Sequence, residues 1–182
     1  MLDQICNYQN DLDASIQSQR HPFVGEAISS LAKKSGLTLT HFRNGTRIED
    51  KMGGDIVAHF AETQSPLYID LKITSNANSK RSTLEIQRGH GQLGTPWSVD
   101  GSKGDIVLWV HTKERIAYFA LRKRLAEAIT NPTAETKAFL SSGQVVSKIT
   151  SAPSGTFESV CHLYDRPTFI NWLKQNGIGG AL

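Results

Sequence analysis

The sequence contains no long hydrophobic run. Nothing in it approaches the roughly 20 consecutive apolar residues of a membrane-spanning helix, so no transmembrane segment is expected. It has only two cysteines, Cys6 and Cys161, far apart in the chain. That is too few for a disulfide framework, and the spacing is not that of a zinc site. Both read as thiols in a reducing, cytoplasmic compartment, with a disulfide as the alternative. The six histidines show no zinc spacing with the cysteines either. There is no internal repeat, which argues against a solenoid or propeller, and no low-complexity tract. The first residues, MLDQICNYQNDLD, lack a basic stretch followed by an apolar one, so a secretory signal is not expected. Nothing resembles a helix-turn-helix, a zinc finger or an RRM, so no separate sequence-reading module is expected.

What remains is an ordinary globular composition. The chain has 182 residues, 38% of them hydrophobic and 20% charged. That length suits one domain, 1–182, with room for a sizeable core. The net charge is only +3, but it is unevenly placed. Residues 1–79 carry 7 Lys/Arg against 9 Asp/Glu, residues 80–124 carry 9 against 4, and residues 125–182 carry 4 of each. The basic middle third is compatible with a phosphate-bearing partner, with a solvated basic face as the plain alternative.

Residues 1–20 show no clear period and read as a loose lead-in or a short helix. HPFVGEAISSLAKKSG reads as a helix: Pro22 suits the first turn, and Phe23, Ala27, Ile28, Leu31 and Ala32 form an apolar stripe. Lys33 and Lys34 match the dipole at its end, and Gly36 stops it. LTLTHF (37–42), GDIVAHF (54–60) and LYIDLKIT (67–74) read as three strands of an antiparallel meander, with RNGTRIEDKMGG as a turn. In 75–104, STLEIQRG reads as a short strand or helix, and the glycine-rich remainder as an irregular loop. DIVLWVHT and RIAYFA follow as strands, RKRLAEAITN and TAETKAFLSS as helices, and QVVSKIT and FESVCHLY as strands. DRPTFINWLKQNG closes as a helix with Asp165 as N-cap, Pro167 in its first turn and Gly177 as its stop. The whole reads as one mixed α/β domain of the α+β kind.

In LYIDLKIT the apolar residues Leu67, Ile69, Leu71 and Ile73 alternate, which puts Asp70 and Lys72 together on the opposite face. On a dry face both charges are costly unless paired; on a face that lines a cleft the pair has a use. The plain alternative is an exposed ion pair on an edge strand. Asp55 opens the preceding strand after Gly53-Gly54, and a hairpin-like pairing brings it close to Asp70, although the same residue also serves simply to close that turn. Two carboxylates so placed repel unless a cation sits between them. Oxygen ligands of this kind suit Mg²⁺ or Mn²⁺, which polarise a phosphodiester and acidify bound water. A neighbouring lysine then orients or deprotonates that water.

This pattern resembles the PD-(D/E)xK nuclease superfamily over residues 22–124, with 125–182 as a C-terminal extension. Gly54-Asp55 stands where that family has Pro-Asp, and Asp70-Leu71-Lys72 matches (D/E)-x-K. The resemblance implies a restriction-endonuclease-like core, a central mixed sheet flanked by helices, and Mg²⁺- or Mn²⁺-dependent cleavage of DNA. By it, Asp55 and Asp70 are metal ligands with the Leu71 carbonyl, Lys72 is the catalytic lysine, and Glu26, the acid of the first helix, supports them. Lys80, Arg81, Gln87, Arg88 and His90 are the expected nucleic-acid contacts. The RecB-like Gln-x-x-x-Tyr motif is absent, because Gly91 stands four after Gln87. Many enzymes of this type cut both strands as dimers, so a homodimer is among the expected assemblies. A nuclease-like fold that binds without cutting is the rival. In a weaker third reading D-x-K is accidental. His59 and His111 read as packing or surface residues, and Trp97 as either a loop anchor or a stacking platform.

Overall fold

The apolar stripe of the first helix folds as its spacing requires. In this computed structural model, which describes residues 6–7, 19–51, 53–74, 80–88, 104–152 and 155–182, helix α1 spans Pro22–Lys34. It buries Phe23, Val24, Ala27, Ile28, Leu31 and Ala32. His21 caps it, its Nδ1 accepting from Phe23 N at 3.2 Å, and Gly36 turns the chain at φ 68°.

The elements run β1 (Cys6–Asn7), α1, β2 (Leu39–Asn44), α2 (Arg47–Lys51), β3 (Ile56–Phe60), β4 (Leu67–Thr74) and β5 (Arg81–Arg88). Then come β6 (Ile106–His111), β7 (Ile116–Leu121), α3 (Arg122–Thr130), α4 (Ala134–Ser142), β8 (Gln144–Ala152), β9 (Gly155–Asp165), α5 (Arg166–Gln175) and β10 (Gly179–Ala181). The fold is mixed α+β. Six strands form one mixed sheet in the order β10-β7-β6-β4-β3-β2, and β1-β8-β9-β5 form a second sheet. The expected meander β2-β3-β4 is antiparallel throughout, and β4 then pairs in parallel with β6.

The centre of the main sheet is buried on both faces, while the edge strand β2 is largely exposed. On one face, α1 packs on Ile56, Ala58, Ile69, Leu71, Leu108 and Val110. On the other, Val107, Trp109, Tyr118 and Ala120 meet Leu84 of β5, Leu125 of α3 and Phe169, Trp172 and Leu173 of α5. Strands that alternate faces in this way read as near-continuous apolar runs, which explains IVLWVH in β6. β4 lies between β3 and β6, so the edge-strand alternative for Asp70 and Lys72 does not hold.

Several sequence expectations are corrected. The stretch read as a turn contains α2, a single helical turn started by a capping box: Thr46 Oγ1 accepts from Glu49 N at 3.3 Å, and Glu49 accepts from Thr46 N at 2.7 Å. The strand expected at 37–42 begins at Leu39 and runs to Asn44. The stretch read as a short strand or helix forms strand β5 over Arg81–Arg88, and it joins the second sheet through β9 rather than extending the first. Within the lead-in, Cys6–Asn7 is a strand that pairs in parallel with β8. β10, drawn from the glycine-rich tail, pairs with β7 and was not expected.

Asp165 caps α5 as its position predicts, its carboxylate accepting from Thr168 N at 3.1 Å. Asp165→Ala should therefore cost about 1 kcal/mol and lower the melting temperature by a few degrees. A thermal melt that leaves the midpoint in place would remove the cap from the stability account.

Candidate active site

The site begins with a tight turn. Gly53 sits at φ 84°, a conformation that glycine adopts without strain. Gly54 lies so close to Tyr68 that a Cβ there would meet the ring at 2.8 Å. The turn hangs from α2: Gly53 N donates to Asp50 O and Gly54 N to Glu49 O, both at 2.9 Å. Arg43 grips Glu49 through both guanidinium nitrogens, at 2.8 and 2.9 Å. Arg43 holds the Glu49 carboxyl well below the usual carboxylate range, with the Thr46 hydrogen bonds adding to the effect.

This turn delivers Asp55 to the face that carries Asp70. Ile56 pairs with Ile69, so one step further along the antiparallel register sets Asp55 opposite Asp70. Asp55 Oδ2 accepts from Leu71 N at 2.6 Å. Asp70 is buried, 5% exposed, and its Oδ1 lies 2.7 Å from Lys72 Nζ. Both partners stay on the face predicted for them, with Val107 and Trp109 of β6 beside them.

The cost of this arrangement falls on Asp55. Its carboxyl is pushed up to about 8, first by burial, then by a hydrogen bond shared with Asp50 and by the negative field of Asp70. Lys72 and the Leu71 amide pull in the other direction without cancelling the effect. Two hard-oxygen groups held face to face at this energetic cost suit a divalent cation, which would relieve their repulsion. Among the described residues no three of His, Cys, Asp and Glu group to hold a metal, so the protein offers a two-carboxylate set with Asp50 behind it.

The structure brings Asp55, Asp70, Leu71 and Lys72 together and leaves Glu26 apart. Glu26 is exposed on α1 and pairs with Arg115, whose guanidinium also lies 4.9 Å from the Phe23 ring centre. Helical geometry accounts for this: Phe23, Ala27 and Ile28 must face the sheet, so Glu26 flanks the helix beside the β6–β7 turn. Lys80 and Arg81 open β5 in the second sheet. The Lys80 carbonyl accepts from Arg166 N at 2.9 Å, and Arg81 bonds to Gln144. Gln87 and Arg88 lie on β5, where only the backbone is described, and His90 and Trp97 fall outside the described residues. His59 stacks on His41 with ring centres 4.3 Å apart, and His111 is buried, 3.0 Å from the Tyr118 hydroxyl, so both are packing residues as expected.

Sequence reasoning missed Asp50 and Asp105, and it read Arg122, in the run Arg122-Lys123-Arg124, as part of a solvated helix face. The capping box Thr46-Arg47-Ile48-Glu49 was a legible signal for a helix that carries Asp50 up to the Gly53-Gly54 turn. Asp105 lies just before β6 and is bound to Tyr68 twice: its amide donates to Tyr68 O at 2.7 Å, and its Oδ2 accepts from Tyr68 N at 2.8 Å. Burial holds the Arg122 guanidinium below its usual value, against the nearby charges of Asp105 and Asp70. Nothing local in the sequence signals either contact.

Comparison with protein-family models, with curated proteins and with solved structures returns no match.

A carboxyl whose pKa is higher folded than unfolded takes up a proton on folding, so the fold is most stable with Asp55 protonated. Stability is then lost as pH rises from about 4 towards about 8, the window between the ordinary and the raised value. Asp55→Asn keeps an oxygen for Leu71 N and removes the charge. In EDTA near neutral pH it should melt a few degrees above wild type and flatten the pH dependence. A lower melting point at neutral pH would mean that Asp55 is not strained.

Proposed function

We propose that this chain is a metal-dependent endonuclease of the PD-(D/E)xK kind, with a restriction-endonuclease-like core, that hydrolyses phosphodiester bonds in DNA. One observation carries the reading: Asp55 stands opposite Asp70 on neighbouring strands, and Lys72 shares the face at 2.7 Å from Asp70. Asp55 and Asp70, with the Leu71 carbonyl, would hold Mg²⁺ or Mn²⁺. Bound there, the ion would supply a Lewis acid for the phosphodiester and acidify a water.

The rest of the chemistry belongs to the chain. Lys72 has a flexible stem and a point charge, suited to orienting the attacking water and balancing charge that builds on the phosphoryl oxygens. The Leu71 amide fixes the Asp55 carboxylate in place, which pre-organises the pair. Asp50 lies behind Asp55 and lends it a proton partner, keeping the turn intact when Asp55 is neutral. The basic middle third of the chain would meet the phosphate backbone.

A second reading, a nuclease-like fold that binds nucleic acid without cutting it, draws on one feature. Glu26 is taken by Arg115, and no third acid completes the set among the described residues.

Cleavage of a panel of supercoiled plasmid, linear duplex, single strand and four-way junction with Mg²⁺ or Mn²⁺ separates the two readings. The endonuclease reading predicts metal-dependent cutting that Asp70→Asn abolishes and Lys72→Ala lowers by about 10²-fold or more. Binding with no cutting would favour the second reading. Neither binding nor cutting would make the D-x-K pattern accidental.

A further inference from the structure

The residues expected to hold phosphate at the start of β5 lie in the second sheet, whereas a different basic pair lines a cleft that Tyr68 of β4 shares. An open cleft of about 580 Å³ is lined by Pro66, Tyr68, Asp105, Arg122 and Lys123 among others, and reaches the β4 strand two residues before Asp70. Tyr68 stands two residues before Asp70 on β4 and so shares its face. The cleft and the acids are joined through backbone. Tyr68 and Asp105 are paired, and Gly104 approaches Gly53, where a Cβ on Gly104 would meet Gly53 O at 2.6 Å. Arg122 runs along Gly104, with Cδ at 3.2 Å from the same Cβ position.

The charge in the first turn of α3 is unusual. Arg122, Lys123 and Arg124 open the helix with no acid among them, although the helix dipole favours acids there. Arg124 has a structural task, donating to Gly177 O at 2.6 Å. Arg122 and Lys123 are the two that line the cleft. Arg122 rises from β7, the neighbour of β6, and the fields of Asp105 and Asp70 both act on it. A guanidinium in a fork geometry and a mobile ammonium side by side are the pair that recognises phosphate oxygens. The ring of Tyr68 and Pro66 give the opposite wall an apolar surface on which a sugar or an unpaired base rests.

We propose that this cleft is the strand-holding subsite of the candidate active site: Arg122 and Lys123 clamp a backbone phosphate next to the one presented to Asp55 and Asp70. The assignment rests on the nuclease reading above, and it makes Arg122 and Lys123 positioning residues. It also locates recognition in the nucleic-acid backbone.

The test is fluorescence anisotropy of short labelled single-stranded and duplex oligonucleotides in EDTA, where no cutting intervenes, across a salt series. The full chain is compared with Lys123→Glu, Arg122→Gln and Lys33→Glu. Lys123 is exposed, so its reversal leaves the core untouched even if Arg122→Gln disturbs packing against Gly104. Lys33 lies on α1, across the sheet from the cleft. Lys123→Glu is expected to weaken binding by about tenfold and to reduce the salt slope by about one, with Lys33→Glu unchanged. Binding by wild type that neither Arg122→Gln nor Lys123→Glu alters would overturn the subsite and leave the nuclease reading standing. Displacement of the oligonucleotide by inorganic pyrophosphate at equal affinity would also overturn it, in favour of a small-phosphate pocket. No binding by wild type would sink the subsite together with the reading beneath it.

Discussion

The structure depends on one costly contact: two carboxylates set opposite each other on the buried face of a central sheet. Asp55 and Asp70 come from adjacent strands, and Asp70 is almost wholly buried. The Leu71 amide holds Asp55 at 2.6 Å, so the side chain cannot swing away from its neighbour. Lys72 answers the charge of Asp70, and burial pushes the Asp55 carboxyl towards its protonated form. Much of the surrounding architecture keeps this in place. The capping box starts α2, Arg43 anchors Glu49, and the glycine pair turns the chain sharply enough to lay Asp55 on the right face. A fold selected for stability alone would place apolar residues at these positions, as it does on the α1 side of the same strands.

The opposite end of the sheet shows how the protein treats polar burial where no such purpose is evident. There, buried Ser82 and Tyr118 are joined at 2.6 Å and Tyr118 and His111 at 3.0 Å, while Arg166 clasps Glu114. Together these contacts tie β5 of the second sheet to β6 and β7 of the first. Burial lowers the His111 ring below its ordinary value, consistent with a neutral packing residue. Complementary pairing there and like-charge opposition at Asp55 and Asp70 are different uses of the same scarce resource, a buried polar position.

Much of this was legible in the sequence because it is local. The helical period of Phe23, Ala27, Ile28, Leu31 and Ala32 and the strict alternation in LYIDLKIT each report one element and one face. The meander followed from short connections, and the meeting of Asp55 with Asp70 followed from the meander. What could not be read was set by tertiary placement. β5 looks like any alternating strand, yet it crosses to a second sheet because β9 provides its partner 71 to 84 residues later. Glu26 is the sole acid of its helix and so invited a role, but its neighbour Arg115 arrives from a turn far along the chain. Arg122 and Lys123 look like a solvated face until Gly104 and Tyr68 form a cleft beside them. α2 differs from these in carrying a local signal, the Thr46–Glu49 capping box.

The central claim is that the facing aspartates form a cation site. The most direct measurement is titration of the full chain with Mn²⁺, following the free ion by electron paramagnetic resonance, for wild type, Asp55→Asn and Asp70→Asn. The account predicts saturable binding in wild type that either substitution abolishes or weakens by at least about tenfold, since each removes one of two charged ligands. Saturable binding that survives both substitutions, or no saturable binding in wild type, would contradict it.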